Sequence, residues 1–320
     1  MNNFWIKLPI PFTVLAPMDG VTDIVFRSVI KSIARPDVFF TEFTSCDGII
    51  SAGKNISMQK LNFDPNEKPI VAQVWGSNPS NFYQTAKYVK KFGFSGIDIN
   101  IGCPDKTVVK SGAGAALINN PSLTREIIKA VKEGANGLPV SVKTRIGFQK
   151  EQVEEWIGFL LEQDLEAISI HLRTVKELSK VPAHWELMPK IIDLRNKINP
   201  KTLIIGNGDV NSLSEVDEKH KLYGCEGVMI GTGVFSNPWL FNKTIKMEDI
   251  STLERLDLYL KHIRLFNKIW GEEKKPVTLR KFCKTYVNNF SGASALREKM
   301  MQTETIEDLV SLINNYKQNL

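Results

Sequence analysis

The sequence predicts an α/β fold, a closed (β/α)8 barrel of the TIM type with an all-helical C-terminal domain. Eight short β-branched or apolar runs alternate with segments of helical period. Their spacing of roughly 25 to 40 residues is what repeated βα units require. After Pro238 the strand-like runs stop while helical periodicity continues to the C-terminus. A doubly wound open sheet is the alternative for the first part of the chain.

The eight predicted strands are near-continuous apolar runs, which is typical of parallel strands that are covered on both faces. They span residues 13–15, 38–41, 70–74, 97–101, 140–144, 167–171, 203–207 and 228–230. Helices are predicted between them, for example over residues 80–91, 122–132 and 152–163. We therefore expect one barrel domain over residues 1–242 and one helical domain over residues 243–320.

The composition is that of an ordinary globular protein, with 320 residues, 42% hydrophobic and 24% charged. This composition excludes intrinsically disordered and fibrous proteins. No uncharged apolar stretch reaches the roughly 18 residues of a membrane span, and Lys7 and Pro9 interrupt any signal-peptide core in residues 1–10. We expect a cytoplasmic protein that binds no membrane. Its four cysteines form no C-x-x-C pair, so neither a metal site nor a disulfide framework is expected.

A basic segment lies in the middle of the predicted helical domain. Residues 274–284 contain five cations and no acidic residue: Lys274, Lys275, Arg280, Lys281 and Lys284. One interpretation is a solvated helix face. The other is a surface that contacts the phosphates of a nucleic acid. The net charge of +6 is compatible with a polyanionic partner but too diffuse to establish one.

Polar side chains follow the predicted strands at their carboxyl ends, where barrel enzymes place reacting groups. They are expected to converge on one mouth. The candidates are Asp19 and Asp23 after the first strand, Gln73 in the third, Asn100 and Cys103 at the fourth, Lys143 and Arg145 in the fifth, and His171 and Arg173 at the sixth. Gly206-Asn207-Gly208-Asp209 and Gly231-Thr232-Gly233 end the last two strands, where Gly-rich turns commonly bind a phosphate.

Three of these side chains point to specific chemistry. Cys103 follows a strand in a Gly-Cys-Pro turn, and a protonated thiol there can act as an acid, although a lone cysteine is often only a small core residue. Lys143 in a buried strand needs an anion, either a structural carboxylate or a cofactor with a negatively charged ring such as a reduced flavin. His171 can donate to a phosphate or a ring oxygen, or serve as a structural donor.

Two glycine clusters do not support a Rossmann site. Neither Gly112-Ala113-Gly114 nor Gly231-Thr232-Gly233 completes the G-x-G-x-x-G pattern. We interpret Gly114 as a packing glycine at the start of a helix.

These motifs occur in an order that resembles the dihydrouridine synthase family of FMN-dependent RNA-modifying enzymes over nearly the whole chain. The most specific is Asp98-Ile99-Asn100-Ile101-Gly102-Cys103-Pro104. Others are Ala16-Pro17-Met18-Asp19-Gly20, Gln73-Val74-Trp75-Gly76, Val142-Lys143-Thr144-Arg145, His171-x-Arg173-Thr174 and Gly206-Asn207-Gly208-Asp209. In the helical tail, Leu279-Arg280-Lys281, Tyr286, Gly292 and Arg297 are similar to the family's RNA-binding domain.

The resemblance implies an FMN-binding catalytic barrel and a helical RNA-binding domain. NADPH would reduce FMN, a hydride would pass to C6 of a uracil, and Cys103 would protonate C5. The implied cofactor contacts are Ala16, Pro17, Met18, Gln73, Lys143, His171, Asn207, Gly208, Asp209, Gly231 and Thr232. Asn100 and Arg173 would hold the base, and Lys274, Lys275, Arg280, Lys281, Lys284 and Arg297 would contact an RNA, most simply tRNA. A monomer is expected.

The chain departs from the family pattern at several positions. Leu172 stands where the family usually has Gly, Ala183-His184-Trp185 replaces a more usual Ala-Asp-Trp, and Thr232 stands where an Arg is common. The substrate could therefore be ribosomal RNA instead of tRNA. Two other functions stay open, an FMN oxidoreductase for a free pyrimidine or other small molecule and a non-catalytic RNA-binding helper.

Overall fold

The computed structural model describes residues 3–51 and 54–320. The first two residues of the N-terminal segment, in which no signal-peptide core is expected, lie outside this range. Eight parallel strands form the barrel: β1 (Phe12–Leu15), β2 (Val38–Phe40), β3 (Ile70–Trp75), β4 (Gly96–Ile101), β5 (Val140–Arg145), β6 (Ala167–His171), β7 (Leu203–Asn207) and β8 (Gly227–Ile230). Each coincides within one or two residues with a run predicted from the sequence.

The strands close into a barrel. Each pairs in parallel with its neighbour in chain order, β2 pairs with β3 through Phe39 and Ile70, and β1 pairs with β8 through Val14 and Met229. This closure confirms the predicted (β/α)8 barrel and excludes the open doubly wound sheet. An extra two-residue strand, Thr44–Ser45, pairs with the carboxyl end of β3.

Fourteen α-helices are assigned in the described residues: α1 (Ile24–Ile33), α2 (Cys46–Ile50), α3 (Lys54–Gln59), α4 (Pro79–Phe92), α5 (Lys106–Lys110), α6 (Pro121–Ala135), α7 (Gly158–Leu161), α8 (Met188–Ile198), α9 (Leu213–Tyr223), α10 (Gly233–Ser236), α11 (Thr252–Trp270), α12 (Cys283–Tyr286), α13 (Ala293–Gln302) and α14 (Ile306–Gln318). None of the described helices is long and apolar enough to cross a membrane.

Local sequence explains where the predicted helices begin and end. The side chain of Asn78 accepts from the backbone N–H of Ser80 at 2.9 Å before α4, and Gly93 ends α4 with a φ of 80°. Asn120 caps α6 in the same way. The predicted helix at 152–163 differs, because a π-helical turn, Val153–Ile157, precedes the short α7.

The core of the barrel is apolar at its amino-terminal end. Trp5 of the N-terminal segment packs against the ring of Phe12 on β1. Both belong to one buried cluster with Val14, Ala16, Val38, Phe40, Val71, Ala167, Ile205 and Met229. Gly227 is required here, because a Cβ at that position would lie 2.2 Å from the ring of Phe12. This packing leaves the carboxyl ends of the strands for polar side chains.

The chain divides into two compact units. The barrel unit contains all eight strands and comprises the described residues up to Ile24, Pro36–Val210 and Ser214–Gly231. The helical unit comprises Val25–Arg35, Asn211–Leu213 and Thr232–Leu320. Its core contains aromatic rings, among them those of Phe26 on α1 and of Phe282, the residue before α12, which are stacked 5.3 Å apart. The boundary after residue 242 that the sequence suggests stays a prediction.

Candidate active site

A buried hydrogen-bond network joins the carboxyl halves of β3 and β4. Nε2 of Gln73 donates to Oδ2 of Asp98 at 2.8 Å, and Nδ2 of Asn100 donates to Oε1 of Gln73 at 3.0 Å. The Oδ1 atom of Asn100 accepts from the backbone N–H groups of Gly102 and Cys103 at 3.1 and 3.0 Å. Asp98 therefore fixes Gln73 and Asn100, and Asn100 fixes the turn that carries Cys103.

The carboxyl group of Asp98 is fully buried. Burial raises its pKa to about 7, although hydrogen bonds from Ser141 and Gln73 and the charge of Lys143 oppose the rise. The hydroxyl of Ser141 donates to its Oδ1 at 2.6 Å. The sequence-based prediction assigned no role to Asp98 or Ser141. The two-residue alternation of strands was the available signal, since it places Asp98 on the same face as Asn100.

Cys103 is half-buried, whereas Cys46, Cys225 and Cys283 are buried. Its carbonyl accepts from the backbone N–H of Ala115 at 3.1 Å. Gly114 packs against the same turn, because a Cβ there would lie 3.1 Å from the carbonyl oxygen of Cys103, and its φ of 57° also favours glycine. Burial raises the pKa of the Cys103 thiol above its ordinary value. The thiol is therefore protonated at neutral pH and able to act as an acid.

Lys143 lies on β5, opposite Asn100 in the register of β4. Its Nζ donates to Oδ1 of Asn207 on β7 at 3.1 Å, and Nδ2 of Asn207 donates to the carbonyl of Met229 at 2.8 Å. Burial and then the charge of Arg145 lower the pKa of Lys143 to about 8, against the attraction of Asp98. This ammonium is charged at neutral pH, but an anionic ligand would stabilise it further.

His171, Arg173 and Asp209 form a second polar group at the ends of β6 and β7. Arg173 donates to Nε2 of His171 at 3.0 Å and to Oδ2 of Asp209 at 2.5 Å. Burial, followed by the charges of Lys143, Arg145 and Arg173, lowers the pKa of His171 to about 2. The imidazole is therefore neutral. Because a guanidinium can only donate, Nε2 must accept and Nδ1 carries the proton.

Arg145 is buried beside these groups, and the sequence-based prediction placed it at the mouth without assigning it a role. It donates to the carbonyl of Gly102 at 3.0 Å, which lies next to Cys103. Two further donations reach the carbonyls of Thr174 and Leu178 in the loop after β6. Arg145 therefore ties the Cys103 turn to that loop. Its alternation with Lys143 along β5 was the signal for its position.

The remaining predicted cofactor contacts occupy the loops after β1, β7 and β8. The backbone N–H of Ala16 donates to the carbonyl of Ile230, and that of Met18 donates to Oγ1 of Thr22 at 2.8 Å. Asp209 is committed to Arg173 and to the backbone N–H of Ala183, at 2.5 and 2.8 Å. Pro17, Gly208 and Gly231 belong to the barrel unit. Thr232 belongs to the helical unit, and its side chain is exposed.

The six predicted RNA contacts in the helical unit differ in their surroundings. Arg280 donates to the carbonyl of Thr303, and Arg297 donates to that of Val287 at 2.7 Å, so both hold the backbone of the unit. The ammonium of Lys274 lies 3.7 Å from the ring centre of Trp270. The other three are exposed, namely Lys275, Lys281 and Lys284.

Solved structures with low sequence identity share the barrel fold. An old yellow enzyme homologue from Zymomonas mobilis is similar with a TM-score of 0.51 and 14% identity, over 76% of this chain and 91% of that one. A histamine dehydrogenase from Rhizobium sp. 4-9 gives a TM-score of 0.53 and 13% identity, over 79% of this chain and 48% of that one. At this identity the likeness concerns the fold alone.

Sequence relatives are more informative. A probable tRNA-dihydrouridine synthase of Staphylococcus aureus strain COL is 45% identical over 319 residues, which cover 99% of this chain and 96% of the relative. Probable tRNA-dihydrouridine synthase 2 of Bacillus subtilis strain 168 is 44% identical over 99% of this chain and 97% of the relative. The family model for dihydrouridine synthase matches residues 14–320. The chain therefore belongs to the dihydrouridine synthase family.

Proposed function

We propose that this protein reduces the C5–C6 double bond of uridines in tRNA to 5,6-dihydrouridine, with FMN as cofactor and NADPH as reductant. The observation that carries the proposal is the placement of the Cys103 thiol. The thiol is protonated and half-buried, the backbone N–H of Cys103 is held by Asn100, and the half-buried cation Lys143 lies at the same barrel mouth. Membership of the dihydrouridine synthase family supports the same reaction.

The donor set at the mouth fits FMN. Lys143 offers a half-buried positive charge whose hydrogen bond goes to the neutral oxygen of Asn207, and His171 offers Nδ1–H. The hydroxyl of Ser169, opposite Lys143 in the strand register, is buried with no hydrogen-bond partner in the described residues. Lys143 would lie at the electron-rich edge of the ring, Pro17 and Met18 at its face, and the Gly208 and Gly231 loops at the phosphate. When bound, FMN that NADPH has reduced supplies the hydride for C6.

The chain itself supplies the proton. Sγ of Cys103 would give its proton to C5 of the uracil, because its raised pKa keeps the thiol protonated until the carbon becomes basic. Nδ2 of Asn100 carries a second N–H besides the one bonded to Gln73, and Arg173 lies in the loop after β6. These two side chains are our candidates for orienting the base.

A uridine stacked inside a folded RNA cannot reach the mouth of a barrel, so the base must be turned out of its stack. The exposed cations Lys275, Lys281 and Lys284 of the helical unit are suited to contact phosphates, which fix position more than sequence. This charge favours an RNA substrate over a free pyrimidine.

The test is a reconstituted reaction with purified protein, FMN, NADPH and unmodified tRNA transcripts. Mass spectrometry should detect uridines that have gained two hydrogens. We expect the Cys103→Ala variant to retain FMN and its reduction by NADPH but to form dihydrouridine at least about 100-fold more slowly. Full turnover by that variant would remove Cys103 from the acid role.

Two results would contradict the proposed reduction of uridines in RNA. Reduction of free uracil but not of tRNA or ribosomal RNA transcripts would identify a small-molecule oxidoreductase. A protein that binds RNA and takes up no FMN would be a non-catalytic RNA-binding helper. Dihydrouridine formed only in ribosomal RNA would keep the reaction and change the substrate.

A further inference from the structure

A histidine in the loop after β6 lies between two carboxylates of the barrel unit. Nδ1 of His184 is 2.9 Å from Oε1 of Glu186, and its Nε2 is 3.1 Å from Oε1 of Glu177. An ionised carboxylate can only accept a hydrogen bond, so both bonds form only when both ring nitrogens carry a proton. The arrangement therefore suits an imidazolium, in contrast to the neutral His171.

Glu177 also holds the beginning of this loop. Its Oε2 accepts from the backbone N–H of Thr174 at 2.7 Å, and its own backbone N–H donates to the hydroxyl of Thr174 at 3.3 Å. Oε1 of the same carboxylate faces His184. One side chain thus joins the two ends of residues 174–184, which we call the closed loop.

The closed loop supplies acceptors for Arg145. The carbonyls of Thr174 and Leu178 accept from Nη1 of Arg145 at 3.0 and 2.9 Å. Nε of Arg145 donates to the carbonyl of Gly102, the residue before Cys103. A displacement of the closed loop would therefore be passed through Arg145 to the turn that carries the proposed acid.

The closed loop holds Arg173 as well. The carbonyl of Val181 accepts from Nε of Arg173 at 2.6 Å. The backbone N–H of Ala183 donates to Oδ2 of Asp209 at 2.8 Å, and this carboxylate is the one that Arg173 binds. Both contacts of Arg173 thus depend on backbone groups of the closed loop.

The charges around His184 favour its protonated form. The hydrogen bond to Glu186 and then that to Glu177 raise the pKa of His184 above its ordinary value, against partial burial. The other charged residues of the same groove are Lys150, Glu151, Lys176 and Lys180. All four are exposed, so solvent and salt screen their charges.

We propose that His184 is a positioning residue for uridine reduction, whose imidazolium fixes the closed loop and thereby the Cys103 turn and Arg173. The inference rests on the proposed function. A group with a raised folded-state pKa contributes stability at low pH, and this contribution is lost as the pH rises through the folded-state value. Deprotonation leaves one carboxylate without its donor. The closed loop should then loosen and dihydrouridine formation should slow.

The experiment measures single-turnover dihydrouridine formation in unmodified tRNA by protein with reduced, saturating FMN, between about pH 6 and 9. FMN binding is measured at each pH, so that flavin loss is not mistaken for lost positioning. The variants are His184→Gln and Glu186→Gln. Glu154→Gln is the matched control, because Glu154 is an exposed glutamate paired with Lys190 at 3.0 Å and not with a histidine.

The ratio of rates carries the result. We expect His184→Gln to react about 10-fold more slowly than wild type near pH 6, and this ratio should approach one at high pH, where wild-type His184 is neutral. For Glu186→Gln, the pH at which the rate falls should shift downward, because the ring has lost a negative partner. Glu154→Gln should follow the wild-type profile.

Two measurements report on the loop without the reaction. NMR of ring-labelled protein should show both nitrogens of His184 protonated at low pH, with a midpoint that falls in Glu186→Gln. Hydrogen exchange should show that the backbone N–H of Ala183 loses protection as His184 deprotonates.

A rate ratio between wild type and His184→Gln that is independent of pH would overturn the inference, since a purely structural role gives that result. Constant protection of Ala183 through the His184 midpoint would also overturn it. Absence of dihydrouridine with wild-type protein at every pH would refute the proposed function instead, and the NMR and exchange data would still decide whether His184 fixes the closed loop.

Discussion

The guanidinium of Arg173 donates a hydrogen bond to Nε2 of His171 at 3.0 Å, which fixes the protonation state of the histidine. A protonated imidazole would present a second N–H to this donor. The same guanidinium also donates to Asp209 and to the carbonyl of Val181, so it cannot easily turn away. The mouth therefore contains a neutral histidine beside charged Arg173.

His171 should not titrate in the physiological range. Burial and the neighbouring cations lower its pKa to about 2, well below the ordinary histidine value. NMR of ring-labelled protein should show no change of the His171 signals between about pH 5 and 8. His184, whose pKa is raised by its hydrogen bond to Glu186, serves as the comparison. A midpoint for His171 near 6.5 would contradict the assignment.

FMN affinity should decrease as the pH rises through about 8. The lowered pKa of Lys143 means that this group loses its charge in that range, and with it the attraction for an anionic ligand. Fluorescence titration of flavin-free protein checks this. Lys143→Met should bind FMN more weakly at pH 7 and lose the pH dependence, whereas Lys129→Met, at an exposed position on α6, should behave as wild type.

The Asp98→Asn substitution should change the pH dependence of stability. The folded-state pKa of Asp98, about 7, lies above the ordinary value of 3.8, so the folded protein keeps a proton that the unfolded chain has lost. The protonated carboxyl therefore stabilises the folded protein at low pH, and this stabilisation is lost as the pH rises to about 7. We expect wild-type stability to fall relative to the variant by up to about 1 kcal/mol per pH unit in that window.

Urea unfolding at several pH values measures this difference, with Asp217→Asn as the exposed control on α9. The same substitution should slow dihydrouridine formation roughly 10- to 100-fold, because it disturbs the orientation of Gln73 and Asn100. Parallel pH profiles for the variant and the wild-type protein would show that Asp98 does not hold the proton.

Substitutions at two predicted RNA-contact residues should differ in their effect on the free energy of unfolding. Arg297→Gln removes the bond to the carbonyl of Val287 and should lower the free energy of unfolding by about 1–2 kcal/mol. Lys275→Gln, at an exposed position, should leave stability within about 0.5 kcal/mol and weaken tRNA binding. Thermal unfolding and tRNA titration give both values. Equal stability of the two variants would show that the hydrogen bond of Arg297 does not stabilise the helical unit.

The positions of the strands could be predicted because their information is local. Residues 140–144 and 203–207, for example, form strands where β-branched and apolar residues cluster. Since parallel strands in a barrel share one carboxyl edge, the sequence also predicted that Lys143 and His171 approach the same mouth. The start of the helix near residue 152 was less predictable, because a π-helical turn has no simple periodic signal.

The sequence by itself determined the barrel, its helical tail, the family and the residue types gathered at the mouth. Only the tertiary structure decided which of those residues bond to one another. The bond that Gln73 donates to Asp98 joins two neighbouring strands, and the bond that Lys143 donates to Asn207 joins strands 64 residues apart in the chain. The protonation of His171 depends on burial, as does the buried Ser169 hydroxyl that has no hydrogen-bond partner among the described residues, and many distant segments create this burial together. Local patterns specify strands and helices, whereas hydrogen-bond partners and desolvation arise only when the chain is packed.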